Sequence, residues 1–88
     1  MPTISMFYGI IIRMYDEQGG KHNIPHIHAE YSGKEAEIAL DGSLLSGEIP
    51  ANKLKMVQVW LDIHHDEVEA NWTLLSSGER AYKIEPLK

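Results

Sequence analysis

The chain has 88 residues, enough for a single domain over 1–88 but not for two lobes enclosing a deep cleft. Its 43% hydrophobic and 24% charged residues are ordinary globular composition, which excludes wholesale disorder. Eight Lys and Arg against thirteen Asp and Glu leave a net charge of −5, and the only basic grouping is the pair Lys53 and Lys55, so nucleic acid is disfavoured as a direct partner.

The chain holds no cysteine, which excludes disulfides, thiolate metal sites and a cysteine nucleophile. Small extracellular domains are usually stapled, so this composition points to the cytoplasm. Met1-Pro2-Thr3-Ile4-Ser5 lacks the basic segment and apolar run of a signal peptide, and no stretch approaches the roughly 18 apolar residues of a membrane span.

The first strand is predicted in the β-branched run from Gly9 to Tyr15, ending at the turn signal Asp16-Glu17-Gln18-Gly19-Gly20. A second strand follows from His26 to Tyr31 and a third from Glu35 to Leu40. Asp41-Gly42, a hairpin dipeptide, leads into a short fourth strand from Leu44 to Glu48. A two-residue turn at Ser32-Gly33 pairs Ala29 with Ala36, Ile27 with Ile38 and His28 with Glu37. One at Asp41-Gly42 pairs Leu40 with Ser43, Ile38 with Leu45 and Glu37 with Ser46. Both turns give the same faces. Ile27, Ala29, Tyr31, Ala36, Ile38, Leu40 and Leu45 form the core side, while His26, His28, Glu30, Glu35, Glu37, Ser46 and Glu48 face solvent or a ligand. A four-residue turn at 32–35 keeps these faces and slides the pairs by two.

After Pro50, with Asn52 as N-cap, Leu54, Val57, Leu61, His64, Val68, Trp72 and Leu75 recur every three or four residues as one helical stripe. A cap at Asp66, with Glu69 completing a box, would divide the segment near His64-His65-Asp66. The unbroken stripe favours one long helix, straight or bent, from about 53 to 76, ended by Gly78. Residues 81–85 suit a short final edge strand that Pro86 limits. The fold class is therefore α+β: a four-stranded antiparallel meander, extended by a short fifth C-terminal strand, packed in two layers against one long C-terminal helix.

The segment Pro25-His26-Ile27-His28 carries the most chemistry. On a strand, His26 and His28 point to one face about 7 Å apart. Glu37 lies opposite His28 in the predicted register, with Glu30 and Glu35 beside it. Imidazoles with a carboxylate suit Zn, Mn or ferrous iron with positions left open, so His26, His28 and Glu37 are the candidate metal ligands. His22, from the preceding loop, can add a further nitrogen. Clustered Glu30, Glu35 and Glu37 repel unless a histidine, Lys34 or a cation relieves them. Histidines on a sheet face also make plain cross-strand contacts with carboxylates, and His26, His28, Glu30 and Glu37, with the helix edge near His64, equally compose an interaction surface. Gly19-Gly20 lacks the spacing of a phosphate loop, and no serine sits in a nucleophile elbow, so no other cofactor is called for. Trp60 and Trp72 fall at helical spacing suited to the core.

Several ordered segments carry a resemblance. Met1-Pro2-Thr3-Ile4-Ser5 and Gly9-Ile10-Ile11-Ile12-Arg13-Met14-Tyr15 precede Pro25-His26-Ile27-His28-Ala29-Glu30-Tyr31; then come Gly47-Glu48-Ile49-Pro50, Trp60, Asn71-Trp72 and Lys83-Ile84-Glu85-Pro86-Leu87. Across essentially the whole chain they resemble the small bacterial family of unknown function numbered 4160. Members more often carry two prolines before the first histidine, where this chain has Asn23-Ile24-Pro25. The resemblance implies a bacterial, cytoplasmic protein without an established activity. Its genes often neighbour those of a second small family of unknown function, numbered 2442, in an arrangement similar to toxin–antitoxin modules. That implies a small protein partner, the neighbouring-gene product. The expected function is thus a non-enzymatic interaction domain, one half of such a pair. The alternative is a small metal-dependent hydrolase or nuclease, with His26 and His28 as ligands, Glu37 as ligand or base and His22 as proton carrier. A homodimer is the default assembly for a chain of this size.

Overall fold

The computed structural model describes residues 3–15 and 24–88. The predicted turn at 16–20 and the candidate ligand His22 lie outside them. Among the described residues, five antiparallel strands form one sheet in sequence order: β1 (Thr3–Phe7), β2 (Ile10–Arg13), β3 (His26–Tyr31), β4 (Lys34–Ala39) and β5 (Leu44–Gly47). Two helices follow, α1 (Ala51–Ile63) and α2 (His65–Ser76). The α+β meander is as expected; its strand count and helix count need correction.

The additional strand is N-terminal, not C-terminal. β1 pairs with β2 through a tight turn in which Tyr8 and Gly9 both have positive φ, 48° and 79°. This is the primed geometry that matches strand twist, but a tyrosine occupies a position where Asn, Asp or Gly usually signals it. Residues 81–85 form no strand. Ile84 N–H donates to the Ile4 carbonyl at 2.7 Å, and side chains hold the rest of the segment. Buried Asn71 grips the Tyr82 backbone twice, its Nδ2 donating to the carbonyl at 2.7 Å and its Oδ1 accepting from the N–H at 2.9 Å. Trp60 Nε1 donates to the Glu85 carbonyl at 2.8 Å.

Between β3 and β4 the predicted two-residue turn and every predicted pair are present: Ile27 opposite Ile38, His28 opposite Glu37 and Ala29 opposite Ala36. The next hairpin differs. Gly42 N–H donates to Ala39 O at 2.9 Å and Ala39 N–H to Ser43 O at 2.8 Å, so Leu40 belongs to the turn and does not pair with Ser43. Ile38 then lies opposite Leu44, not Leu45. A bulge at Leu45 restores the count, and Glu37 faces Ser46 as predicted. β5 ends at Gly47, with φ 72°, where a Cβ would collide with the Glu35 carbonyl oxygen.

The helix starts two residues earlier than its sequence suggests. Pro50 occupies the N-cap position and its carbonyl accepts from Lys53 and Leu54 N–H at 2.9 Å, which moves the cap from Asn52. The single long helix is corrected to two, divided at His64 with φ −108° and ψ 23°. His64 still donates to Trp60 O and accepts from Val68 N–H, so the break is local and the apolar stripe passes through it. Asp66 and Glu67 occupy the first turn of α2, where the helix dipole favours negative charge. Glu67, not Glu69, reaches back to the junction, 2.9 Å from His64 Nδ1. Gly78 ends α2 as expected: Gly78 N–H donates to Leu75 O and Glu79 N–H to Leu74 O, a Schellman pair.

Sheet and helices enclose one core, in which Ile10, Ile12, Ile27 and Ile38 meet Val57, Trp60, Leu61 and Val68. Phe7 and Trp60 stack at 5.6 Å between centroids. The opposite sheet face is not simply open, as the alternation implied: His26 is 1% and His28 7% exposed.

Candidate functional site

One row of side chains crosses four strands. Arg13 of β2 lies opposite His28 of β3, His28 opposite Glu37 of β4, and Glu37 opposite Ser46 of β5. The neighbouring row places Glu30 opposite Glu35. Because strand side chains alternate, residues two apart share a face, and both rows lie on the side away from Ile27 and Ile38.

Diagonal contacts bind the rows. Arg13 donates to Glu30 Oε2 at 2.7 Å, so this guanidinium relieves the clustered glutamates that the sequence left to Lys34, a histidine or a cation. His28 Nδ1 lies 3.2 Å from Glu35 Oε1 and 3.9 Å from Glu37 Oε1. An ionised carboxylate only accepts, so the shorter contact is Nδ1–H donating to Glu35. Ser46 Oγ donates to Glu37 Oε2 at 3.0 Å, orienting that carboxylate from the next strand. The Tyr15 ring stands edge-on to His28 at 4.4 Å. Burial pushes the Tyr15 hydroxyl pKa up, and the negative charge of Glu35 adds to the rise while Arg13 offsets part of it.

Of the residues singled out from sequence, His28 and Glu37 come together and Glu30 joins them through Arg13. His26 is adjacent, its ring 5.3 Å from that of His28. Its Nδ1, however, lies 2.8 Å from the Ile24 carbonyl, which can only accept from it, and Trp72 of α2 packs beside the ring at 5.3 Å. The third donor beside His28 and Glu37 is Glu35: one nitrogen and two oxygens from these residues all lie within 4.8 Å of one another. His64 belongs elsewhere, at the helix junction, where it lines a groove of about 370 Å³ with Ile63, Pro86 and Leu87. Sequence reasoning placed Glu35 on the correct face and Ser46 opposite Glu37, but missed Glu35 as the donor beside His28, and missed Arg13 and Tyr15 as members of the cluster. The signal for Glu35 was available in the β3–β4 register, because a residue two positions from the direct partner lies diagonally within reach.

Such an arrangement can take a cation, whether a metal ion or a basic side chain. Among the described residues, no helix is long and apolar enough to cross a membrane. No curated protein and no solved structure matches the chain. The family described as Domain of unknown function (DUF4160) has a model that matches residues 9–73, from the turn before β2 into α2 and across the whole His28, Glu35 and Glu37 cluster, and the chain belongs to that family.

Proposed function

We propose that this domain is a cytoplasmic, bacterial protein-interaction module whose acidic sheet face receives a cationic segment of a small protein, the product of a neighbouring gene in a toxin–antitoxin-like pair. The observation that carries this is the grouping of Glu30, Glu35 and Glu37 on two paired strands, where Arg13 is the guanidinium among the described residues of those rows. Side chains fixed on strands present their charges in a set geometry, which steers association and selects a partner of opposite sign. The hydrolase alternative is less well supported, because it takes His26, His28 and Glu37 as joint ligands, whereas the donors that lie within 4.8 Å of one another are those of His28, Glu35 and Glu37.

The test is to purify the tagged chain with its neighbouring-gene product and measure affinity against salt. Glu30→Lys combined with Glu35→Lys is expected to weaken binding about tenfold or more at physiological salt, with a shallower salt dependence. Asp62→Lys, a reversal on exposed α1 surface, should leave it unchanged. A complex that survives the double reversal unaltered would exclude this face.

A further inference from the structure

We propose that His28, Glu35 and Glu37 form a divalent-metal site of one imidazole and two carboxylates, suited to Zn²⁺, Mn²⁺ or Fe²⁺. The inference stands apart from the partner reading, since it concerns the lone chain.

Metal–ligand bonds of about 2.1 Å at tetrahedral or octahedral angles put neighbouring donor atoms roughly 3.0–3.4 Å apart. His28 Nδ1 is already 3.2 Å from Glu35 Oε1 and 3.9 Å from Glu37 Oε1, and the whole set spans no more than 4.8 Å. Small χ rotations of the two glutamates close the remainder. All three residues sit on adjacent strands, so the backbone holds the donors without help from a loop. The site also has a floor and an opening: the His28 side chain is 9% exposed, Glu37 21% and Glu35 50%. An ion would bind Nδ1 in place of the proton now donated to Glu35, the ring carrying its proton on Nε2 instead, and would keep coordination positions on the Glu35 side for water or a ligand.

Two surrounding contacts support the assignment. Ser46 Oγ occupies Glu37 Oε2 and leaves Oε1 turned toward His28, the kind of outer contact that orients a metal-binding carboxylate. Arg13, the nearest guanidinium in the row, is bonded to Glu30 at 2.7 Å and so does not fill the space between the three donors. A mixed nitrogen and oxygen donor set favours first-row transition ions over Ca²⁺ or Mg²⁺, which prefer oxygen shells.

The experiment is titration of the purified chain with Zn²⁺ by calorimetry, and with Mn²⁺ by line broadening in amide NMR spectra. One ion per chain is expected, with broadening centred on His28, Glu35 and Glu37. Glu35→Gln, at a half-exposed position that should not disturb folding, is expected to weaken Zn²⁺ binding about 10- to 100-fold, with Glu37→Gln and His28→Gln at least as severe. His26→Gln is expected to stay within about twofold, because His26 lies outside the set of donors within 4.8 Å of one another. Circular dichroism confirms that each variant is folded. No saturable binding, or equal affinity in Glu35→Gln and the parent chain, would overturn the site. Equal losses in His26→Gln and Glu35→Gln would overturn the assigned ligand set. Because all of this is read without the partner, loss of the protein–protein complex leaves the result unaffected.

Discussion

Ser5 pairs with Ile12 on the core side of β1, is 6% exposed, and its Oγ is the buried side-chain atom that finds no hydrogen-bond partner among the described residues. A hydroxyl in that position has surrendered water without recovering a bond, and such a loss costs about 1–3 kcal/mol. Ser5→Ala should therefore raise stability by about 1 kcal/mol, read as a rise of roughly 4–8 °C in Tm for a domain of this size. A lower Tm would show that the hydroxyl is satisfied after all. The same accounting of polar atoms gives each imidazole a different Nδ1 partner, the Ile24 carbonyl for His26 and the Glu35 carboxylate for His28. Alternation assigns both imidazoles to one face, but it is silent on which ring nitrogen is already taken. The Ile24 carbonyl, two residues upstream, claims the Nδ1 of His26, and only coordinates could reveal that.

At the scale of elements, turns decide what was legible. The pairing of β3 with β4 was readable, though β4 runs one residue earlier than expected, because Ser32-Gly33 is a conventional hairpin dipeptide flanked by alternating apolar and charged positions. β1 was not, since its turn places Tyr8 at φ 48°, against the usual preference. The division of the helix was equally hidden, because His64 keeps its place in the apolar stripe and interrupts only the backbone angles. The Asp41-Gly42 signal correctly announced a turn but not its length. Asp41 accepts the Ser43 N–H at 2.8 Å, and that bond holds its carboxyl pKa below the usual value. A carboxyl depressed by folding contributes stability that is present above its unfolded pKa and lost as pH falls through the folded one. Asp41→Asn keeps an acceptor for Ser43 but removes the titration. Between about pH 5 and pH 2 the parent chain should lose more stability than the variant, as urea melts at each pH will show; parallel curves would contradict the coupling. Gly47 is the stricter position. Alanine there meets the Glu35 carbonyl oxygen and a φ of 72°, so Gly47→Ala is expected to cost more than about 2 kcal/mol in urea unfolding. A cost below about 0.5 kcal/mol would show that β5 can shift away.

Taken whole, the molecule divides its sheet between two tasks. One face is sealed by Trp60, Leu61 and Val68; the other is built from ionisable groups that strands hold in register. Side-chain periodicity separated these faces almost completely, because a period of two and a period near 3.6 are strong signals even in one sequence. The cluster itself was only half legible. His28 and Glu37 followed from register, whereas Glu35 and Arg13 depend on diagonal reach across strands, and His26 stands outside the close donor set by distance, which alternation does not predict. The hairpin of β4 and β5 also contains two length errors of opposite sign. The turn absorbs Leu40 and the bulge returns Leu45, so Glu37 and Ser46 keep the register of a two-residue turn although the pairs within the interval from Ile38 to Leu45 are shifted. Within that interval, change in length is buffered: a residue gained by the loop can be cancelled by one lost from the strand, and Glu37 still meets Ser46. The chemistry of the face is thereby insulated from drift in the connection beside it.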